Sequence, residues 1–422
     1  MATRSTRQPR RYENWLVAML FATVGCIFLD RFAVQYLSPL FVKEFKMTQA
    51  EVGAVVGFLS IGWAISSWVF GSLSDRKGRR AVLIPAVAVF SLLSVITGLV
   101  QSFVQMLGAR LLMGVAEGAA LTPAYAVMAE ESGAHRRGLN LGIMQSSISL
   151  IGIAITPVLV TILGSAFGWR WGFALVAIPG LVMTAVLWRF LREPEARLQE
   201  EKAGLLSVFG YRNIRLSIAN GFLFGAWTVC LYGFLPLYLT GPAYNLPLTT
   251  MGAFLGAGGL VAFLGQIVIP FISDRIGRKP MVIISGLLVA GVAWAAPIGL
   301  AFPLMAAAFL ICNVGQGGIP IAIAVIPTET APRAVAATAV GVTVFAVEIA
   351  AFMSGVIVGA LADATNNHAL PLVIAGWRPS WWRSSASSTG RRRPRGWSFQ
   401  RRSRRLHASR LERRAVSAAE SR

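Results

Sequence analysis

The sequence predicts an all-helical protein that crosses a lipid bilayer many times, and three observations carry that prediction. Hydrophobic residues make up 55% of the 422 positions and charged residues 14%, too apolar a balance for a soluble globule. Runs of about 20 apolar residues, the length a helix needs to cross a hydrocarbon core, recur along most of the chain. Basic residues gather in short loops on alternate sides of those runs. The three cysteines, Cys26, Cys230 and Cys312, each fall inside an apolar run, so neither a disulfide framework nor a paired-cysteine metal site is suggested. The basic opening MATRSTRQPRRYENW leads into a long apolar run with no small-residue cleavage site close behind it. It reads as the approach to a first membrane helix and not as a removed signal.

Six spans are placed at Asn14 to Val42, Val52 to Leu73, Ala81 to Gln101, Val104 to Met128, Leu139 to Leu163 and Trp171 to Leu191. A second set follows at Leu216 to Leu239, Met251 to Ile272, Met281 to Leu300, Pro303 to Ile326 and Ala334 to Leu361. Between the sets, Arg192 to Arg215 is the most polar interior stretch. The expected division is a cytoplasmic segment 1–13, a six-helix bundle over 14–191, a cytoplasmic linker over 192–215, a second bundle over 216–376 with the start of a twelfth helix, and a basic, disordered tail over 377–422.

The net charge of +21 resembles that of a polyanion binder until it is divided along the chain. From Trp377 onward there are 14 Arg and 2 Glu, a local +12, which leaves +9 for the rest. Most of that remainder lies in the loops holding Arg76 to Arg80, Arg136 and Arg137, Arg275 to Lys279, and Arg333, so it reports topology. The amino terminus and the linker are placed in the cytoplasm, in a multi-pass inner-membrane protein, and nucleic acid is not expected as a partner.

One repeat is plain. GSLSDRKGRR, Gly71 to Arg80, recurs as ISDRIGRKP, Ile272 to Pro280, each time between the second and third span of its set. Gly71, Gly78 and Gly277 permit tight turns, Arg76, Arg79, Arg275 and Arg278 hold the loop at the membrane surface, and Asp75 or Asp274 can cap a neighbouring helix. Parallel repeats of six helices are the plan of one large transporter class.

The charges inside the spans point to chemistry. An arginine at bilayer depth costs roughly 2.5 to 3.5 kcal/mol on insertion scales, so it is expected to face a cavity or a partner. In RLLMGVAEG, Arg110, Gly114 and Glu117 fall at i, i+4 and i+7, one helical stripe, with the glycine leaving a notch between opposite charges that suits an anion and a proton. Asp30 and Arg31 lie mid-run in the first span and point about 100° apart, so they cannot both face one partner. A carboxylate without a close cation is pushed toward protonation in low dielectric, whereas one beside an arginine stays ionised, which gives a physical route to coupling. The alternative is a static buried cluster that locks helices together.

These residues resemble a known family. The paired loops look like the major facilitator superfamily signature, which implies a major facilitator fold of two six-helix halves around a central cavity. The first half looks more narrowly like the superfamily's anion:cation symporter family, through Asp30 and Arg31, Arg110 with Gly114 and Glu117, Gly168 to Trp171 (GWRW), and Arg192 to Pro194 (REP). The resemblance covers about residues 14 to 365 at superfamily level and is narrower mainly up to Pro194. It implies that Asp30 and Glu117 carry protons, and that Arg31 and Arg110 hold a substrate carboxylate or link it to them.

The second half departs from the narrower pattern: CLYGFLPLYL, Cys230 to Leu239, has Leu235 where the family pattern has a tryptophan. Gln145, Asn220, Tyr232, Asn313 and Gln316 are polar within apolar runs and can hydrogen-bond substrate or a neighbouring helix. Trp63 can pack on a sugar face or on protein. Glu348 is an intramembrane acid with no cation nearby in sequence, either a third proton site or a protonated packing residue. The superfamily's drug antiporters typically carry a glycine-rich stretch with Gly-Pro in the fifth span; here Pro157 follows Thr156 with no glycine pair after it, and by that comparison the exporter reading is lowered.

After Leu370 to Gly376 the composition breaks. WRPSWWRSSASSTGRRRPRGW stands where helix 12 belongs, and valine codons GTG GTG read one base out give the tryptophans at Trp381 and Trp382. A frameshift that replaced helix 12 is the reading adopted; a basic tail on anionic lipid is the rival. The expected protein is a monomeric secondary transporter that imports a small organic anion, such as a sugar acid, with protons. It needs no cofactor or metal and is not an enzyme. The alternatives are an exporter of drugs or organic acids, a membrane sensor, or a truncated transporter without function.

Overall fold

The computed structural model describes residues 10–133, 135–194, 209–295, 301–330, 333–367 and 369–376. Most of the linker, the end of the ninth span and the whole tail from 377, with the proposed replacement of helix 12, lie outside the described residues.

Twelve helical segments are present among them: α1 (Arg10–Phe45), α2 (Gln49–Lys77), α3 (Arg79–Leu99), α4 (Phe103–Glu131), α5 (Arg137–Phe167), α6 (Trp169–Phe190), α7 (Arg212–Thr240), α8 (Leu248–Ile276), α9 (Arg278–Ala295), α10 (Phe302–Thr330), α11 (Arg333–Thr365) and the short α12 (Leu370–Gly376). Ten of these are long and apolar enough to cross a membrane. Several outrun their predicted spans, because backbone hydrogen bonding continues past the hydrocarbon edge until a cap stops it. Thr48 and Glu51 form a capping box that starts α2, and the Ser102 hydroxyl accepts from the Gln105 amide to start α4.

Three spans widen into π-helix: α5 over Ile148–Ile155, α7 over Val229–Gly233 and α10 over Ile321–Val325. Each widening ends two to three residues before a proline, Pro157, Pro236 and Pro327. Proline has no N–H to donate and collides with the preceding turn, and a wider turn accommodates both defects. In α5 the Ile151 carbonyl accepts the Thr156 amide in the widened ladder and also the Thr156 hydroxyl at 2.7 Å.

Within the first half, α2 packs on α4 and α3 on α6. The halves meet along two glycine-lined seams. In one, Gly53 and Gly57 of α2 lie against the backbone of Gly355 and Phe352 of α11. In the other, Gly252, Gly256 and Gly259 of α8 lie against Pro157, Ala154 and Ile153 of α5. Small residues let backbones approach, which is how helices associate where lipid supplies no hydrophobic drive. The Asp363 carboxylate accepts from the Gln49 and Ala50 amides at 2.9 and 2.8 Å, tying α11 to the start of α2. These contacts all lie in the part of the spans away from the two repeated loops.

Candidate functional site

At the repeated loops, Gly78 and Gly277 take φ of 101° and 112°, a region that excludes a β-carbon without strain, and turn the chain from α2 into α3 and from α8 into α9. Arg79 bonds Asp75 at 2.5 Å and Glu130 of α4 at 2.9 Å; Arg278 bonds Asp274 at 2.5 Å and Glu329 of α10 at 2.7 Å. Each set of bonds stays within its own half. Asp75 and Asp274 bind these arginines, and the cap on α3 comes from elsewhere. The Glu193 carboxylate of the REP motif accepts from the Arg79 and Arg80 amides at 2.5 and 2.9 Å. The GWRW motif is also structural: Glu44 accepts from the Trp169 indole at 2.7 Å and pairs with Arg170 at 2.7 Å, while Arg170 lies 4.2 Å over the Trp169 ring.

Midway along the spans, Asp30 and Arg31 part as adjacent helical positions must. Asp30 turns toward α4, where its carboxylate stands 3.8 Å from the Arg110 guanidinium. Arg110 also donates to the Arg31 carbonyl at 3.2 Å. Glu117 lies within electrostatic reach of Asp30, Arg110, Arg31 and Glu348, with the Asp30 and Glu117 carboxyls close to each other, and Ser94 of α3 stands near Asp30 but donates its hydroxyl to the Phe173 carbonyl at 3.0 Å. Asp30, Arg110 and Glu117 are all buried. Neither oxygen of Glu117 has a hydrogen-bond partner, and the Nε and Nη1 atoms of Arg110 have none. Buried ionisable groups left short of partners are costly, and such groups mark functional positions.

The notch expected at Gly114 is not open. A β-carbon there would collide with the Leu59 carbonyl of α2, and one at Gly118 would meet the Ser66 hydroxyl. The glycines admit the α2 backbone, not a ligand, because close helix packing fills the gap between Arg110 and Glu117.

Arg31 turns the other way and crosses to the second half. Its Nη2 donates to Glu348 of α11 at 2.7 Å and to Ser60 of α2 at 3.2 Å, and its guanidinium lies 4.3 Å over the Trp63 ring. Its Nη1 has no partner. The side chains of Arg31 and Glu348 are 14% and 9% exposed, against 1% and 2% for Arg110 and Asp30, so this pair is the less deeply buried edge of the cluster. Trp63 therefore carries a cation on its ring in this state, where a sugar face was one expectation; its other ring contact is Phe28, with centroids 5.8 Å apart.

In the second half, Tyr232 donates to Asn313 at 2.8 Å, and Gln316 donates to the Tyr232 hydroxyl at 2.6 Å and to Asn313 at 2.5 Å. The structure brings these three together as a buried network that satisfies itself. Tyr36 of α1, buried with no partner for its hydroxyl, is the first half's neighbour to Tyr232. Gln145 is exposed, and among the described contacts none joins it to either cluster. On the same helix, Ser149 donates to Gln266 of α8 at 2.7 Å. Asn220 is buried twelve positions before Tyr232, about 18 Å along α7, and is not brought into the network.

Sequence reasoning missed Ser60, Ser94 and Tyr36. Gln35 and Tyr36 were readable, since they follow Arg31 by about one turn within an apolar run; the serines carry no signal until the helices are packed.

The comparisons with known proteins agree with this architecture. The family model described as Major Facilitator Superfamily matches residues 20–355. The probable 4-methylmuconolactone transporter of Cupriavidus pinatubonensis is 30% identical over 269 residues, 61% of this chain and 62% of its own length. The hexuronate transporter of Bacillus subtilis is 26% identical over 276 residues, 63% of this chain and 65% of its own. The chain thus spans less than two thirds of either. The probable L-galactonate transporter of Escherichia coli is 26% identical over 406 residues, 89% of this chain and 88% of its own. Among solved structures, a bacterial homolog of the human lysosomal transporter Spinster, inward-facing and unoccupied, superposes with a TM-score of 0.71 at 16% identity, covering 90% of this chain and 95% of that one, a likeness of fold. With the family model covering residues 20–355, well over half of the chain, this chain belongs to the Major Facilitator Superfamily, a superfamily of membrane transporters and not of enzymes.

Proposed function

We propose that this protein imports a small organic carboxylate together with protons across the cytoplasmic membrane by alternating access. The observation that carries the reading is Arg31, whose guanidinium is stacked on Trp63 at the less deeply buried edge of the group Asp30, Arg110 and Glu117, and whose buried Nη1 has no partner. A carboxylate recognises such a planar cation through paired hydrogen bonds. In this reading Arg31 takes the anion, with Arg110 behind it, and Asp30 and Glu117 exchange protons as the arginines shift between them and the guest. Trp63, Tyr36 and the Tyr232, Asn313 and Gln316 network supply the remaining walls, and Gln145 joins them when α5 moves.

In this reading the amino terminus and the repeated loops lie in the cytoplasm, a side supported by the positive charge of those loops. With the halves meeting away from those loops, this reading takes the state as inward-facing, and rocking on the two glycine seams would expose the cluster to the other side. Relatives named for 4-methylmuconolactone, hexuronate and L-galactonate guide the choice of substrates to try.

The test is uptake of radiolabelled cis,cis-muconate, D-glucuronate, L-galactonate and 4-hydroxybenzoate into proteoliposomes holding the 422-residue chain, with the outside acidified. Acid-stimulated accumulation of at least one is expected and abolished by a protonophore. Absence of uptake for all four would remove the reading; efflux driven against the proton gradient would turn it into an exporter.

A further inference from the structure

The pair of Arg31 and Glu348 has consequences beyond holding the two halves together. It joins α1 of the first half to α11 of the second at 2.7 Å, and the contact between guanidinium and carboxylate is the one a substrate anion would make. Arg31 is part-buried and Glu348 buried, yet both are less deeply enclosed than Arg110 and Asp30, so the pair forms the outer edge of the charged cluster.

The charges can be counted. Two guanidinium groups, Arg31 and Arg110, face three carboxyls, Asp30, Glu117 and Glu348. Fully ionised, the cluster is one negative charge in excess, and an uncompensated buried charge is strongly unfavourable. Neutrality thus requires one proton on the three carboxyls when the site is empty and a second when a monoanion enters.

Geometry says where the second proton goes. Among the described residues, the charged groups that face Glu348 are Arg31 of α1, which pairs with it, and Glu117 of α4, which repels it. The charged residues carried by α2, α7 and α10 stand at those helices' ends, and α12 carries none. A guest that takes Arg31 therefore leaves Glu348 with no cation.

We infer that Glu348 is an internal stand-in for the substrate's carboxylate: in the empty protein it fills the place on Arg31 that an incoming anion takes, and on displacement it accepts from water the proton that travels with that anion. Displacement also breaks a bond between the halves, so occupancy and the freedom to rock are linked through one atom pair. This rests on the organic-anion reading above.

The experiment is calorimetry on purified protein with the same four acids as probes, at pH 6 to 8 in buffers of differing ionisation enthalpy, which reports protons taken up per anion bound. In Glu348→Gln the uptake is expected to fall by about one proton per anion, and affinity at pH 8 to rise at least about fivefold as its pH dependence flattens. Binding to this variant with the parent's proton count and pH slope would overturn the inference alone. Binding of none of the probes to the parent would overturn the organic-anion reading, and this inference with it. Should Glu348→Gln not fold, Glu348→Asp decides the matter. It keeps the acid but retracts it from Arg31, so anions should bind more tightly with the proton count retained, and unchanged or weaker binding would count against the inference.

Discussion

Gly114 of α4 and Leu59 of α2 approach so closely that a β-carbon on the glycine would run into the Leu59 carbonyl oxygen. The obstacle is the backbone of a packed helix, which no rotamer change relieves. Gly114→Ala is expected to destabilise the protein by about 1 to 3 kcal/mol, the range for overpacking. Gly108→Ala, on the same helix with nothing within 4 Å, should melt at or slightly above the parent temperature. Thermal melting of the two variants side by side checks the contrast.

Removing Arg110 strands buried acids. Arg110→Met leaves Asp30 and Glu117 without the guanidinium that attracts both, and breaking a buried pair from one side costs about 3 to 5 kcal/mol. Adding Asp30→Asn should recover part of the lost melting temperature without restoring uptake. Recovery of both together would mean that Arg110 acts only as a structural counter-ion.

Glu117 and its neighbours separate proton movement from anion movement. Glu117→Gln keeps the shape and removes the titration. Exchange of labelled for unlabelled anion across the membrane should persist, while accumulation against a gradient under acid drive should be lost. Parent-like accumulation in this variant would show that Glu117 carries no proton.

Arg31 is stacked as well as paired. Arg31→Lys retains the charge but loses the planar contact with Trp63 and the fork of donors, so anion affinity is expected to fall at least about tenfold. Titration of the same carboxylate into the two proteins measures it, and equal affinities would restrict the role of Arg31 to its charge.

Glu193 acts far from the cluster. Glu193→Ala deletes both acceptors at the start of α3 and should cost about 0.5 to 2 kcal/mol of stability, as loss of a helix cap does, with anion affinity unchanged. A change in affinity without a change in melting would contradict the assignment.

Much of this protein was legible in the chain itself. Apolar run lengths gave the helices, the loops at Asp75 to Arg79 and Asp274 to Arg278 gave the repeat, and the expense of charge within apolar runs singled out Asp30, Arg31, Arg110, Glu117 and Glu348. These are local properties, fixed by composition and spacing. Partnership is not local. The sequence left Glu348 without a cation because its partner lies 317 positions earlier, and it read Gly114 as an opening because nothing in one helix reveals the neighbour that fills it. Likewise the Tyr232, Asn313 and Gln316 network, and the capping of α3 by Glu193, exist only once α7 meets α10 and α6 ends beside α2. Which groups are present follows from residue chemistry along one strand of text; which of them touch depends on close packing of helices remote in the chain, and that is decided in three dimensions alone.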